Sequence, residues 1–183
     1  GRLATERMKD LIKDLLEYSR LGKEESISWI PLSEVLTILT QDMEVLIQES
    51  KAQIHVGELP QIRGNPIELK QLMQNLISNG IKYSRQGVPP KLEIEAVHLG
   101  NYWTISVKDN GIGIEEDQYD KVFLLFQRLH AKHEYSGTGI GLAACKKIID
   151  NLSGKIWVTS RIGEGSTFSF SLHQSIVRNG SVK

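Results

Sequence analysis

Two asparagines stand four residues apart in the stretch Asn75-Leu76-Ile77-Ser78-Asn79-Gly80-Ile81-Lys82-Tyr83. Apolar residues keep helical spacing through and before this stretch, which predicts a helix from Pro66 to about Tyr83. Both amides then project from the same helix face, with Lys82 within one turn. Amide oxygens and water suit Mg²⁺, and an ammonium suits phosphate. Alone, however, an Asn pair on a helix is more often a cap or surface polarity.

Two glycine-containing segments lie further along the chain. Asp109-Asn110-Gly111-Ile112-Gly113-Ile114 follows a predicted strand; its glycines permit close approach of a ligand, and Asp109 can accept a hydrogen bond from an exocyclic amine. Gly137-Thr138-Gly139-Ile140-Gly141-Leu142 opens a predicted helix, whose N-terminal dipole favours phosphate. The second segment is neither a P-loop nor a dinucleotide fingerprint. Taken singly, the first is also typical of a turn and the second is a weak signal.

A third segment lies between these two. Val122-Phe123-Leu124-Leu125-Phe126-Gln127-Arg128 offers two aromatic side chains to dock it on the core and an arginine within reach of phosphates. Ordinary core phenylalanines and a solvated arginine are the competing interpretation.

The remaining pattern mixes helices with antiparallel strand pairs. Alternating apolar residues predict a hairpin around Gly100-Asn101 and a closing hairpin across Gly163-Glu164-Gly165. Short strands are predicted at 27–30 and 53–56, one helix capped by Ser33 and running to about Ile47, and another from Gly141 to about Leu152. No pattern is evident in 174–183. The predicted fold is α+β, a two-layer α/β sandwich built on a mixed sheet with helices on one face.

A long amphipathic helix precedes this domain. Met8, Leu11, Leu15 and Tyr18 are spaced by three or four residues, and Leu3, Ile12 and Leu16 widen the apolar stripe. The opposite face is charged and includes Lys9, Asp10, Lys13, Asp14 and Glu17. The helix either packs on its own domain or forms one arm of a helical bundle; we favour the second interpretation. A hinge follows at 22–26.

Composition limits the function. The 22 Lys and Arg balance 22 Asp and Glu, so no basic excess indicates nucleic-acid binding. The single cysteine, Cys145, is interpreted as a buried core residue in a chain suited to a reducing compartment. No stretch is long and apolar enough for a membrane span, and no signal peptide is evident.

In this order and spacing, the segments resemble the ATP-binding catalytic domain of sensor histidine kinases. Residues 75–83 resemble the N box, 109–113 the G1 box, 123–126 the F box and 137–141 the G2 box. The resemblance covers about Trp29 to His173. The first helix is similar to the second helix of the dimerisation domain, and the residues from Phe126 onward are most similar to phytochrome-related kinases.

The resemblance implies a Bergerat-type ATP-binding fold with ATP and Mg²⁺ as cofactors. It implies that Asn79 holds Mg²⁺ with Asn75 beside it, that Lys82 and Arg128 lie near the phosphates, and that Asp109 binds the adenine amine. Other residues expected at the nucleotide are Tyr83, Gly111, Gly113, Phe126, Gly137, Thr138, Gly139, Gly141 and Leu142. Residues 127–136 are expected to form a lid over ATP.

The resemblance also implies an activity and its partners. We expect 1–26 to be the second dimerisation helix and linker, 27–173 the ATP-binding catalytic domain and 174–183 a C-terminal tail. The γ-phosphoryl of Mg-ATP would pass to a phosphoacceptor His that precedes Gly1, then to a response regulator's receiver Asp, in a homodimeric parent. None of the five histidines has the expected phosphoacceptor context, so these residues alone are not expected to autophosphorylate. The domain is expected to be cytoplasmic, although the parent could be membrane-anchored.

Three alternatives belong to related or different classes. An ATPase of the gyrase, chaperone or mismatch-repair type would require a Glu at position 75, because the amide of an Asn cannot act as the general base for water. A serine kinase of the anti-sigma type keeps the pocket, but the N-terminal helix and linker favour the histidine kinase. A non-catalytic nucleotide-binding or scaffolding module is weakened by the complete set of boxes.

Overall fold

A computed structural model describes residues 2–23, 26–127 and 137–180. Over these ranges the helices are α1 Arg2–Arg20, α2 Leu32–Asp42, α3 Glu44–Ser50, α4 Pro66–Lys82 and α5 Gly141–Asn151. The strands are β1 Ser28–Pro31, β2 Gln53–Val56, β3 Gln61–Gly64, β4 Lys91–Leu99, β5 Tyr102–Asp109, β6 Lys155–Arg161, β7 Gly165–His173 and β8 Val177–Arg178. Short 3₁₀ turns lie at Glu116–Gln118 and Gln174–Ile176.

The main sheet has five strands in the order β2-β4-β5-β7-β6. Strand β2 pairs with β4 in parallel, and the other neighbours are antiparallel, so the predicted mixed sheet is confirmed. The turn at Gly100-Asn101 sets Leu99 opposite Tyr102. This register buries Ile94, Ile105 and Phe170 completely on one face of the sheet.

Helices form the second layer. Helix α4 packs on β4 and β5, α5 packs on β6 and on α4, and α2 packs on α4. The predicted two-layer sandwich is therefore confirmed. Helix α4 lies close to the sheet at Gly80, where an added Cβ would come within 3.0 Å of a Leu92 methyl.

The start of α4 is fixed by its own sequence. The Asn65 side chain accepts hydrogen bonds from the backbone N–H groups of Ile67 at 2.8 Å and Glu68 at 3.2 Å. Pro66 fills the first turn, as predicted, where its missing N–H costs nothing. The cap therefore fixes the first residue of the helix, and packing on β4 and β5 decides which of its residues face the sheet.

A small second sheet has three strands in the order β1-β3-β8. Strands β3 and β8 were not predicted from the sequence, and residues 174–183 were expected to carry no pattern. Strand β8 pairs Val177 with Ile62 of β3, and Val177 is buried. A strand of two residues cannot show periodicity, and both β3 and β8 form by pairing with strands distant in the chain.

Two predictions about the second helix are wrong. Ser33 is not its cap, because the helix begins at Leu32, whose N–H donates to the carbonyl of Pro60 at 3.1 Å instead of a side chain. The predicted single helix also breaks at Met43, where φ is −97° and ψ is 13°, into α2 and α3. Apolar spacing continues across the break, so periodicity does not reveal it.

Helix α1 is amphipathic and long, as predicted, but its apolar residues are divided between two environments. Tyr18 packs against the hydrophobic core, Leu11 and Leu15 are half-buried, and Leu21 just beyond the helix is buried. Met8, Ile12 and Leu16 remain more than half exposed. One side of the helix thus docks on its own domain while this second apolar stripe stays open. No helix of the described residues is long and apolar enough to cross a bilayer.

Cys145 is a core residue of α5. Its side chain is fully buried, and burial raises the pKa of the thiol to about 12. Hydrogen bonds from Asn75 and the backbone lower the pKa, but by less than burial raises it. The thiolate is therefore negligible at neutral pH, and the interpretation of Cys145 as a structural residue is confirmed.

Candidate functional site

A cavity of about 160 Å³ opens beside the C-terminal turn of α4. Its walls come from α1, α4, the segment before 128 and the glycine loop that enters α5. The lining residues are Asp14, Asn79, Lys82, Tyr83, Gln127, Gly137, Thr138, Gly139, Gly141 and Leu142. The structure therefore brings the N-box and G2-box stretches together.

A smaller recess shares two walls with this cavity. Its lining is Asn79, Tyr83, Asp109, Gly113, Ile114, Ser166 and Phe168. Because Asn79 and Tyr83 line both spaces, the cavity and the recess form two ends of one site. The carboxylate of Asp109 lies at one end, and Lys82 with the glycine loop lies at the other.

The Asp109 carboxylate is held by the backbone. Its Oδ1 accepts hydrogen bonds from the N–H of Gly111 at 2.9 Å and of Ser166 at 3.1 Å. Within the described ranges no residue donates to Oδ2, so this oxygen is available in the recess. Burial raises the pKa of Asp109 to about 6, although both backbone hydrogen bonds lower it. The group is mainly ionised at pH 7 and accepts hydrogen bonds only.

The segment after Asp109 is tied to the end of α4. The N–H of Ile112 donates to the carbonyl of Tyr83 at 3.0 Å. Gly113 has φ +82°, and an added Cβ would lie 2.3 Å from the carbonyl oxygen of Arg161. Glycine is required there, because the backbone adopts a left-handed conformation against a neighbouring strand.

Lys82 stands at the opposite end of the site. Its Nζ lies 5.1 Å from the ring centroid of Tyr83, and a Cβ added to Gly137 would come within 2.5 Å of it. The ammonium thus packs directly against the glycine loop, which suits an anion held jointly by lysine and loop.

The F-box segment and the glycine loop are joined through their backbones. The Phe126 N–H donates to the Gly139 carbonyl at 2.8 Å, and Gly139 has φ +75° with no room for a Cβ beside Phe126. Phe123 docks on the core as predicted, with its ring edge against Phe168. Phe126 does not: it is 57% exposed and adopts φ +66°. Neither phenylalanine lines the cavity.

Asn75 lies outside the lining of both spaces. Its Nδ2 donates to the Gly141 carbonyl at 3.1 Å, which connects α4 to the first turn of α5. Gly111 likewise acts through its N–H on Asp109 instead of lining the recess. Arg128 and nearly all of the predicted lid fall outside the described residues.

The structure adds site residues that the sequence did not indicate. Ser166 and Phe168 reach the recess from β7, and the signal available was the strand alternation that placed Phe168 on a buried face. Asp14 reaches the cavity from α1; it was assigned to the charged, solvated side of that helix. Periodicity cannot distinguish a solvated charge from one facing a neighbouring loop.

A cation site built from protein carboxylates is not evident. Across 2–23, 26–127 and 137–180, no group of three His, Cys, Asp or Glu residues is placed to hold a metal. The amide of Asn79 lines both ends of the site, and one oxygen donor fits Mg²⁺ only if phosphates and water complete its shell. The arrangement thus suits a metal that arrives with a phosphate ligand.

Comparison with known proteins identifies the class. Residues 64–176 match the family described as Histidine kinase-, DNA gyrase B-, and HSP90-like ATPase, and the chain belongs to that family. It is similar to the phytochrome-like protein Cph1 of Synechocystis sp., with 42% identity over 166 residues, 90% of this chain and 22% of Cph1. It is also similar to the adaptive-response sensory kinase SasA of Prochlorococcus marinus, with 34% identity over 97% of this chain and 48% of SasA.

Solved structures agree with this fold. The crystal structure of full-length ShkA in complex with AMPPNP superposes with a TM-score of 0.78 at 23% identity, covering 99% of this chain and 38% of ShkA. Histidine kinase ThkA in complex with the response regulator TrrA gives 0.71 at 24% identity, covering all of this chain and 50% of ThkA. The chain is therefore a histidine kinase-like ATPase domain. It spans less than half the length of the curated relatives named here.

Proposed function

We propose that this domain binds Mg-ATP and transfers its γ-phosphoryl group to a histidine on a dimerisation helix, for relay to an aspartate of a response regulator. The main support is that Asn79 and Tyr83 line both the recess of Asp109 and the cavity of Lys82 and the glycine loop. One site therefore offers a hydrogen-bond acceptor for an amine at one end and hydrogen-bond donors for phosphate oxygens at the other. A nucleoside triphosphate needs both.

Each side chain has a proposed role at the nucleotide. Asp109 Oδ2 accepts from the adenine amine, and Tyr83 lines the wall. Lys82, Thr138 and the N–H groups of the glycine loop bind phosphate oxygens, joined by Arg128. Asn79 supplies an amide oxygen to Mg²⁺, which neutralises charge that develops on the transferred phosphoryl group.

Transfer of the phosphoryl group to a histidine is favoured over hydrolysis because position 75 has no carboxylate to act as a base for water. An amide has no basic lone pair with which to activate water, and the Asn75 side chain donates to Gly141. A docked nucleophile must then supply its own reactivity, and an imidazole nitrogen does so at neutral pH.

The nucleophile and the partners come from outside these residues. We propose that α1 is the second helix of a dimerisation domain, and that the exposed stripe of Met8, Ile12 and Leu16 packs on the helix that carries the histidine and on a second protomer. Three apolar side chains more than half exposed on one helix face support an unfilled helical interface. The response regulator is proposed because ThkA, a protein of similar fold, is solved with one.

The proposed role of Asp109 predicts a pH dependence. The pKa of about 6 belongs to the nucleotide-free domain, and a bound amine stabilises the carboxylate and lowers that pKa. Affinity for AMPPNP should therefore be constant above pH 7 and fall as pH decreases through 6, approaching about tenfold per pH unit. Calorimetry from pH 5 to 8 measures this slope. A flat profile would contradict the assignment, and Asp109→Asn should abolish the slope.

The activity itself is tested by supplying the histidine. The chain is extended at its N-terminus with a helix that carries His followed by Glu or Asp and Pro, and is incubated with γ-labelled ATP and Mg²⁺. We expect acid-labile, alkali-stable label on that histidine and none when it is replaced by Gln. A folded protein that binds AMPPNP but never labels the histidine would favour the non-catalytic nucleotide-binding module.

A further inference from the structure

Helix α1 places a carboxylate in the phosphate end of the site. The Thr138 hydroxyl donates to Asp14 Oδ2 at 2.7 Å, although the two residues are 124 positions apart. Asp14 is half-buried and lines the same cavity as Asn79, Lys82 and Gly137. The hydroxyl of the glycine loop, which the proposed function assigns to phosphate, is thus already bonded to an internal anion.

The attachment of α1 also includes polar contacts made by its C-terminal end and by Gly22. Lys147 of α5 donates to the Tyr18 carbonyl at 3.1 Å and lies 4.5 Å from the centre of its ring. The Gly22 N–H donates to Glu68 Oε1 at 3.0 Å. A contact that combines such polar pairs with Tyr18, Leu21 and the half-buried Leu11 and Leu15 is typical of domain contacts that open and close.

A bound triphosphate and the Asp14 carboxylate would occupy the same end of the cavity and would both accept a hydrogen bond from Thr138. A carboxylate a few ångströms from bound phosphates raises the free energy of the complex, since both are anionic and the site is partly shielded from water. Asp14 also lines the same cavity as Lys82. Nucleotide binding is therefore opposed while α1 is docked.

We propose that Asp14 is a residue of the nucleotide site contributed by α1, and that its negative charge couples docking of α1 to exclusion of the nucleoside triphosphate. This inference rests on the proposed function. Because coupling is reciprocal, the bound triphosphate must weaken α1 docking by the same factor. Release of the dimerisation helix would then favour nucleotide binding, and nucleotide binding would favour release of the helix.

The decisive variant is Asp14→Asn, which removes the charge while its amide oxygen still accepts from Thr138. We expect it to raise the affinity for Mg-AMPPNP about tenfold at low salt, within the usual range of coupling between sites. The gain should shrink at high salt as the charge is screened. Asp10→Asn removes the same charge one turn earlier on α1, at an exposed position that does not line the cavity, and should leave affinity unchanged.

Docking is measured separately with spin labels at Lys9→Cys and Lys155→Cys, two exposed positions; native Cys145 is buried and does not label. In the wild-type background the label distance should be narrow without nucleotide and broaden with Mg-AMPPNP. With Asp14→Asn it should stay narrow in both conditions.

Each other result has a defined meaning. Equal affinity of wild type and Asp14→Asn overturns the coupling and leaves the proposed function intact. Weaker binding by Asp14→Asn also overturns it, because the carboxylate would then assist the metal or the nucleotide. Failure of both proteins to bind AMPPNP rejects the proposed function together with the inference.

Discussion

Asn79→Ala is expected to lose the Mg²⁺ dependence of ATP binding while the domain stays folded. The side chain lines both ends of the site and is half-buried, so its removal deletes an oxygen ligand without opening a core cavity. Alanine is also a better helix former than asparagine, so the thermal midpoint should be unchanged or slightly higher. Affinity for Mg-AMPPNP should fall about 10- to 100-fold, as when groups that support a metal site are removed.

The measurement is calorimetric titration with AMPPNP in Mg²⁺ and again in EDTA. Wild type should bind more tightly with Mg²⁺, and the variant should bind equally in both. Gln74→Ala is the matched control, because it removes an amide from the same helix at an exposed position outside the site. If Asn79→Ala kept the full Mg²⁺ effect, the metal assignment would be wrong.

Asp109→Asn is expected to reverse the base preference of the site. Two backbone N–H groups point at Oδ1, so the amide oxygen of Asn must take that place and its NH₂ must take the place of Oδ2. A donor then faces the adenine amine, which is itself a donor. Affinity for ATP should fall about 10- to 150-fold, the cost of one unsatisfied buried polar group. ITP, with a carbonyl oxygen in place of the amine, should now bind better than ATP.

The same variant should stabilise the nucleotide-free domain. Because the folded pKa of Asp109 is raised to about 6 from 3.8, ionisation opposes folding fully at pH 7 and not at all below about pH 4. The free energy of unfolding should thus increase at pH 7 by up to about 3 kcal/mol, and the gain should vanish towards pH 4. Chemical denaturation at both pH values measures it. Asp117→Asn, at an exposed position, should change neither stability nor base preference.

Loss of ATP binding without gain of ITP binding would mean that Asp109 supports the loop and does not contact the base. A lower free energy of unfolding of Asp109→Asn at pH 7 would also mean that Asp109 supports the loop. The two readouts separate a ligand role from a structural one, because a residue that only braces its loop should not improve stability when replaced.

Much of the fold follows from local chemistry. Asn65 and Pro66 start α4, Gly100-Asn101 closes the β4–β5 hairpin, and alternation along β5 places Ile105 in the core. Each depends on residues within a few positions, so sequence is sufficient. Ser33 was misassigned as a cap because its helix is capped through Pro60, a residue 27 positions away.

The site likewise has features that the sequence predicts and features that it does not. Asn79, Lys82, Asp109 and the glycines at 113, 137, 139 and 141 were indicated by their distinctive types and order, and all of them line the cavity or the recess. Whether a given side chain faces the cavity could not be predicted. Asn75 has the same residue type and helix face as Asn79 but bonds to Gly141, and Phe126 is exposed where docking was expected.

The amino-acid order by itself determined the long helices and the two hairpins, where most of them begin and which chemical groups they carry. The tertiary structure alone decided that Ser166 and Asp14 belong to the same site, that β8 completes a sheet begun at β1, and that one apolar stripe of α1 stays open. The physical reason is distance along the chain. Caps, turns and periodicity act over a few residues, whereas a cavity forms only where segments tens to more than a hundred positions apart pack together.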